Sequence, residues 1–377
     1  MAEPFKNLLN AALVRQAGHH LQRAWPAFDR SRFEALAEGG LDTLELKARA
    51  GHISAALEAT LPADFDAACG VLEASLAPAS EGTPARPAVD GLAGWIVWPM
   101  TDYVARAGQV HPERALAALH AMTQRLTAEW ALRPFIVNHP ALTWDTLQRW
   151  CVDPSAHVRR LVSEGSRPRL PWGLQLKSLI ADPSPTLPLL ERLQDDPSDY
   201  VRRSVANHLN DIAKDHPGLV TGWLARHLPG ATAERRALLR HASRTLIKRG
   251  DAGALAAWGL GAALQGHAVL VVTPAQAVLG GDGVTIEATL VSTARGPQAL
   301  EVDYAVHHVK ARGGATAKVF KGWRLTLAAG EQRVLRKRHA LKEITTRRYH
   351  AGWHRVDLLV NGKVMAEAGF ALALAGP

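Results

Sequence analysis

Asp153-Pro154-Ser155-Ala156-His157-Val158-Arg159-Arg160-Leu161-Val162 recurs further along the chain as Asp196-Pro197-Ser198-Asp199-Tyr200-Val201-Arg202-Arg203-Ser204-Val205. Asp-Pro-Ser, two variable residues and Val-Arg-Arg at a constant offset mark a stacked helical-repeat array, in which each unit buries its apolar side only against a neighbour. Asp can cap a helix and Pro is tolerated only in the first turn, so the tripeptide closes one helix and opens the next. The Val packs inward, and the arginine pair repeats along one side of the array. One arginine of each pair is expected to serve the repeat by pairing with Asp153 or Asp196. The other then faces the concave side, where a repeated cation suits a phosphate backbone.

From about residue 5 to 260 the periodicity is helical. Glu113 to Trp130 and Val201 to Ile212 place apolar residues at three- and four-residue spacing, with breaks at His139-Pro140, Asp153-Pro154, Asp182-Pro183, Asp196-Pro197 and His216-Pro217. The turn-forming stretch from Pro78 to Pro87 predicts a loop between an N-terminal helical cap and the regular repeats. Beyond residue 265 the period becomes two. His267 to Thr273, Gly283 to Val291, Ala299 to Val309, Thr316 to Leu327, Gln332 to Leu341, Gly352 to Val360 and Lys363 to Leu374 read as strands, the last two joined by the hairpin turn Asn361-Gly362. About seven short strands suggest an immunoglobulin-like sandwich. The expected fold is mainly α: a HEAT-like α-solenoid over residues 1–262, followed by a β-sandwich over 265–377.

Composition narrows the function. With 47% hydrophobic and 21% charged residues in 377, the chain is neither disordered nor short of core. No stretch has the apolar length of a membrane span and the N-terminus lacks a secretory layout, so a cytoplasmic location without membrane partners is expected. Cys69 and Cys151 are too few for a disulfide framework or a thiolate zinc site, and no histidine has metal-ligand spacing. The net charge of +9 is concentrated in residues 151–250 and 265–377, the pattern of two surfaces facing one polyanion.

Two constellations carry possible chemistry. In Ala128-Glu129-Trp130-Ala131-Leu132-Arg133-Pro134-Phe135 an acid and an indole sit together at the end of an apolar helix. In Arg159 to Trp172, helical spacing puts Arg160 and Glu164 on one face, and Gly165 and Pro168 stop the helix, leaving Arg167, Arg169 and Trp172 in the turn that follows. Arg203, Asn207 and Asp211 then share a face at four-residue steps. With Lys214, that face would reach phosphates or order water.

These two runs and Val201 to Pro217, in this order, resemble the bacterial HEAT-like-repeat DNA glycosylases for alkylated bases, in particular the AlkC branch, which also carries a C-terminal immunoglobulin-like module. The resemblance covers nearly the whole chain. It implies excision of cationic N-alkylated bases such as 3-methyladenine or 3-methylcytosine from duplex DNA, without base flipping. Such a base already leaves readily, so the difficulty lies at the sugar, where an oxocarbenium-like cation develops that a carboxylate can stabilise. Glu129 and Glu164 are the carboxylate candidates, with exchangeable roles. Trp130 and Trp172 are the lesion-contacting candidates, since indole faces attract cations.

The DNA-binding candidates are Arg159, Arg160, Arg167, Arg169, Arg202, Arg203, Asn207, Asp211 and Lys214 in the helical part. In the β module they are Arg336, Lys337, Arg338, Arg347 and Arg348. Strand alternation sends Arg336 and Arg338 to one side as a basic stripe that could close a clamp on the duplex. No lysine nucleophile of the helix-hairpin-helix kind is evident, so a monofunctional enzyme is expected; it needs no metal or organic cofactor, and because a clamp needs only one chain a monomer is expected. The competing reading is a non-catalytic DNA-binding or protein-interaction scaffold, which needs the repeat arginines but not the carboxylates.

Overall fold

The computed structural model describes residues 5–79, 90–260, 263–311, 313–344 and 347–374. Helices run as far as Ala257 and strands begin at Gly266, so the change of period is the change of architecture. The helices are α1 (Ala11–Ala24), α2 (Arg30–Glu38), α3 (Leu46–Thr60), α4 (Phe65–Ala74), α5 (Val97–Ala107), α6 (Pro112–Thr123), α7 (Arg133–Asn138) and α8 (Pro140–Trp150). They continue with α9 (Ala156–Gly165), α10 (Lys177–Ala181), α11 (Leu187–Leu193), α12 (Asp199–Asp215), α13 (Pro217–His227), α14 (Ala233–Ala242), α15 (Arg244–Arg249) and α16 (Ala252–Ala257). Tertiary contacts gather the chain into two compact units. One holds the chain up to Asp215 with Ala233–Ala242, the other His216–Thr232 with the chain from Ser243 onward.

In the first unit, helices close in sequence stack on one another: α9 packs on α6, α8 and α11, and α12 on α9, α11 and α14. Their faces explain it. On α12, Val201, Ser204, Val205, His208, Leu209 and Ile212 are buried at three- and four-residue spacing, and α9 buries Val158, Leu161, Val162 and Gly165 in the same way. This is a HEAT-like helical array. No helix among the described residues is long and apolar enough to cross a membrane.

Proline punctuates the array in two ways. Pro112, Pro140 and Pro217 occupy the first turns of α6, α8 and α13, where the missing N–H costs nothing. Pro154 and Pro197 instead lie in the linkers before α9 and α12. There the Asp153 carboxylate accepts from the Ser155 N–H at 2.8 Å, and Asp196 accepts from the Ser198 N–H at 2.8 Å. The repeat aspartates therefore form turns rather than helix caps. The helix expected over Glu113 to Trp130 also needs correction. It ends at Thr123, because Arg125 donates to the Ala77 and Ala121 carbonyls and the Thr123 hydroxyl accepts from the Ala128 N–H, which breaks the helical pattern. Of the loop expected over Pro78 to Pro87, residues 80–87 lie outside the described ones.

In the second unit α13 and α15 pack on α16. Its strands are β1 (Gly266–Thr273), β2 (Gln276–Val278), β3 (Val284–Ser292), β4 (Gln298–Val309), β5 (Ala315–Leu327), β6 (Gln332–His339), β7 (Gly352–Val360) and β8 (Lys363–Ala373). They form sheets ordered β1-β3-β6 and β2-β8-β7-β4-β5 over a core that includes Ile286, Leu290, Val302, Val306, Val356, Leu358 and Phe370. This is the immunoglobulin-like sandwich. The short β2, which pairs parallel to β8, is invisible to alternation because three residues do not establish a period. Asn361 (φ 48°) and Gly362 (φ 79°) make the β7–β8 turn. Position 362 also requires glycine for space, since a Cβ there would lie 2.4 Å from the Cα of Gly250.

Candidate functional site

The first arginine of each repeat serves the array. Arg159 donates to both carboxylate oxygens of Asp196 at 2.6 and 3.0 Å and to the Asp153 carbonyl at 2.7 Å, tying one repeat to the next. Arg202 donates to the Asp196 and Pro197 carbonyls at 2.6 and 2.9 Å. Both guanidiniums are thus engaged inside the array rather than offered to a phosphate. The second arginines differ from each other. Arg203 is exposed and pairs with Asp199 one turn earlier, at 2.6 Å. Arg160 turns inward and becomes the centre of a charge cluster.

Arg160 lies between the two candidate carboxylates, 2.5 Å from Glu129 and 3.5 Å from Glu164. It also donates to the Thr127 hydroxyl at 2.7 Å and lies over the Tyr200 ring at 5.1 Å. The same Thr127 hydroxyl donates to Glu129 at 2.8 Å. Glu164 in turn accepts from Arg167 at 2.5 Å and from the Ser204 hydroxyl at 2.6 Å. Arg167 continues to Asp211 at 2.9 Å, and Asp211 accepts from Lys214 at 2.8 Å. Glu129 and Glu164 are only 7% and 5% exposed, so each is held in one orientation with little water around it. Burial opposes the charge on Glu164, but Arg160, Arg167 and Ser204 outweigh it and hold its carboxyl below the usual glutamate value. Burial likewise opposes the Arg160 charge, and Glu164 and Glu129 keep it above the ordinary arginine value. Beside them, burial pushes His208 down to about 4, and its Nδ1–H donates to the Ser163 carbonyl at 2.9 Å.

The aromatic candidates form part of a longer row. Trp172 stacks on Trp130 with ring centres 6.5 Å apart, Trp130 lies 4.6 Å from Trp98, and Trp98 lies 6.1 Å from Trp95. Trp130 is anchored through its indole N–H to the Pro171 carbonyl at 3.2 Å. Trp172 is 63% exposed at the open end of the row and adopts a left-handed backbone (φ 63°) that bulky residues avoid. Behind the row, burial raises Asp102 to about 6 despite a hydrogen bond with Trp98.

The remaining candidates separate in the same manner. Arg167 and Asp211 are buried in the cluster, so Asp211 does not share an open face with Arg203 as the four-residue step suggests. Asn207 contacts His241 at 2.9 Å, and Arg169 pairs with Asp215 at 2.7 Å nearer the surface. In the immunoglobulin-like unit, Arg336 and Arg338 do emerge on one side of β6, but strand register sets Arg336 opposite Glu287 at 2.5 Å, and Arg338 pairs with Asp282 at 2.8 Å. Lys337 donates to the Lys321 carbonyl at 2.6 Å. A different group is left without carboxylate partners among the described residues: Arg347 and Arg348, with Lys310 and Lys318, line a surface cavity of about 550 Å³. Arg347 also contacts His308 at 2.7 Å, and burial, reinforced by Arg347, pushes His308 down to about 3.

Several residues of the site escape sequence reasoning. Ser204 occupies the apolar repeat position held by Leu161, and that departure from the repeat is the signal for it. Arg133 interrupts the apolar run from Ala131 to Ile136, which marks a buried arginine. Trp95, Trp98 and Asp102 carry no comparable signal.

Comparison with known proteins places this geometry. Residues 267–374 match the family model described as "Uncharacterised protein YhaZ, C-terminal Ig-like domain". The "Uncharacterized protein YhaZ" of Bacillus subtilis (strain 168) is 36% identical over 368 residues, covering 97% of this chain and 98% of that relative. Among solved structures, the Pseudomonas fluorescens alkylpurine DNA glycosylase AlkC bound to DNA containing an abasic site analog superposes with a TM-score of 0.90 at 36% identity, over 98% of this chain and 100% of that one. Repeat array, immunoglobulin-like unit and full-length match agree, and the chain belongs to the AlkC branch of the bacterial HEAT-like-repeat alkylbase DNA glycosylases.

Proposed function

We propose that this chain is a monofunctional DNA glycosylase that removes cationic N-alkylated bases, such as 3-methyladenine and 3-methylcytosine, from duplex DNA without rotating them into a pocket. The observation that carries the reading is the convergence of two immobilised carboxylates on one guanidinium, next to a row of indoles that ends in an exposed ring. The alkylated base needs no protonation to depart. As its bond to the sugar lengthens, positive charge grows on the deoxyribose, and Glu129 and Glu164 stabilise it and orient the attacking water. Fixed orientation matters because groups already in place pay no reorganisation cost when charge develops. The Trp172 face attracts the cationic base until it leaves.

Purified protein incubated with methylated duplex is expected to release free modified bases, seen by chromatography, and to leave unbroken strands with abasic sites. EDTA should not change the rate. Binding without base release would instead support the scaffold reading.

The DNA contacts of the immunoglobulin-like unit are assigned to the cations that have no carboxylate partner among the described residues. Replacing Arg347 and Arg348 by Ala should weaken duplex binding about tenfold at low salt and reduce the salt dependence by about two counterions, read by fluorescence anisotropy. Replacing Arg336 and Arg338, already paired with carboxylates, should change both less. The opposite ranking would return the contact to the β6 stripe.

A further inference from the structure

Arg133 is fully buried, yet its guanidinium is held by backbone carbonyls rather than by a carboxylate. Its guanidinium donates to the backbone carbonyls of Gly165 (2.8 Å), Arg167 (2.7 Å), Pro168 (3.4 Å) and Leu174 (2.5 Å). These four acceptors bracket the turn that carries Trp172. The turn has no helix of its own, since α9 ends at Gly165 and α10 begins at Lys177, and beyond Arg133 it is held by the Trp130 N–H on the Pro171 carbonyl and by Arg167 and Arg169, which reach Glu164, Asp211 and Asp215. Two backbone bonds within it, Gly173 N–H to Leu170 and Leu176 N–H to Pro168, close it locally. On its inner side it lies against the Arg133 stem and Trp130, since a Cβ on Gly173 would sit 3.2 Å from Trp130 and 3.3 Å from Arg133.

We infer that Arg133 is the positioning residue of the site: its planar fork gathers the 165–174 turn and holds Trp172 in its left-handed conformation, ring outward and stacked on Trp130. A bulky residue keeps such a backbone only where its surroundings over-determine it. Arginine suits the task because its donors form a rigid array, whereas a lysine ammonium on a flexible stem cannot span four carbonyls at once. Burial, with help from Arg167, lowers its guanidinium only to about 10, so it stays charged at neutral pH.

The inference rests on the glycosylase reading for its catalytic consequence but not for its geometric one, and the two can be tested apart. In full-length protein labelled with fluorotryptophan, Arg133→Lys should shift the fluorine resonance of Trp172, identified by its loss in Trp172→Phe. An unmoved resonance overturns the inference whether or not the protein is an enzyme. On duplex containing 3-methyladenine, Arg133→Lys should lower the single-turnover release rate about tenfold or more, since a misplacement of about 1 Å can cost on the order of 100-fold. Affinity for a duplex bearing an abasic-site analogue should stay within about twofold. In a Trp172→Ala background the same substitution should change the rate less than about twofold, because residues acting through one another are not additive. Equal losses with and without Trp172 would overturn the positioning role while leaving the glycosylase reading intact. No base release by the unaltered protein would sink that reading and leave the resonance to decide the geometry. Should Arg133→Lys lack a cooperative melting transition, Gly173→Ala, whose added methyl crowds Leu170, Trp130 and Arg133, is judged by the same comparisons.

Discussion

Glu164→Gln is expected to lower single-turnover excision of 3-methyladenine by about 100- to 1000-fold while leaving duplex affinity within a few-fold. The amide keeps the shape and can still accept from Ser204 at the position where the carboxylate now does so at 2.6 Å. What it loses is the negative charge that opposes the developing sugar cation. Glu129→Gln tests the other carboxylate in the same assay, and unchanged rates in both variants would remove the pair from the chemistry. The pH profile gives an independent reading. Glu164 is held below the usual glutamate value by Arg160 and Arg167, so it should stay ionised, and excision should persist, as the pH falls to the ordinary glutamate range. The stability sign agrees. A carboxyl whose folded value lies below its unfolded one stabilises the fold above the unfolded value and loses that contribution as pH falls through the folded value.

Arg160→Met should cost about 3–5 kcal/mol of stability, because it leaves two buried carboxylates facing each other with one cation fewer. Glu164 would retain Arg167 and Ser204, whereas Glu129 would retain the hydroxyl of Thr127. A thermal melt of the variant should fall by on the order of 10 °C. Adding Glu129→Gln to the variant should recover part of the loss, since the uncompensated charge is then gone. A loss below about 1 kcal/mol would mean that solvent screens the cluster, as at an exposed pair. The cluster that makes the carboxylates rigid also makes them costly to disturb.

Much of the architecture is written in short-range pattern. The Asp-Pro-Ser repeat, the three- and four-residue spacing of Val201, Val205, Leu209 and Ile212, the alternation of the seven longer strands and the Asn361-Gly362 turn each follow from local geometry, which a linear sequence displays directly. So does the approach of Arg160 to Glu164, one helical turn apart. Where several turns compete, as between Thr123 and Arg133, side chains capture the backbone groups and the local pattern misplaces the helix end.

The chain order alone determined a helical repeat array, a β-sandwich after it, and a short set of acids, indoles and arginines from which a site could be built. Only tertiary structure decided how that set is divided. Arg159 meets Asp196, Arg160 meets Glu129, Arg167 meets Asp211 and Arg133 meets the 165–174 turn, each across more than thirty residues of chain. The repeated Val-Arg-Arg motif is identical in its two copies, yet it yields one buried charge centre and one exposed side chain. The difference comes from what the neighbouring turns bring: Glu129, Thr127 and Tyr200 surround Arg160, while Arg203 meets Asp199 at the surface. Charge in a low-dielectric interior goes where partners are already in place, and partners brought by distant segments leave no periodic trace in the sequence.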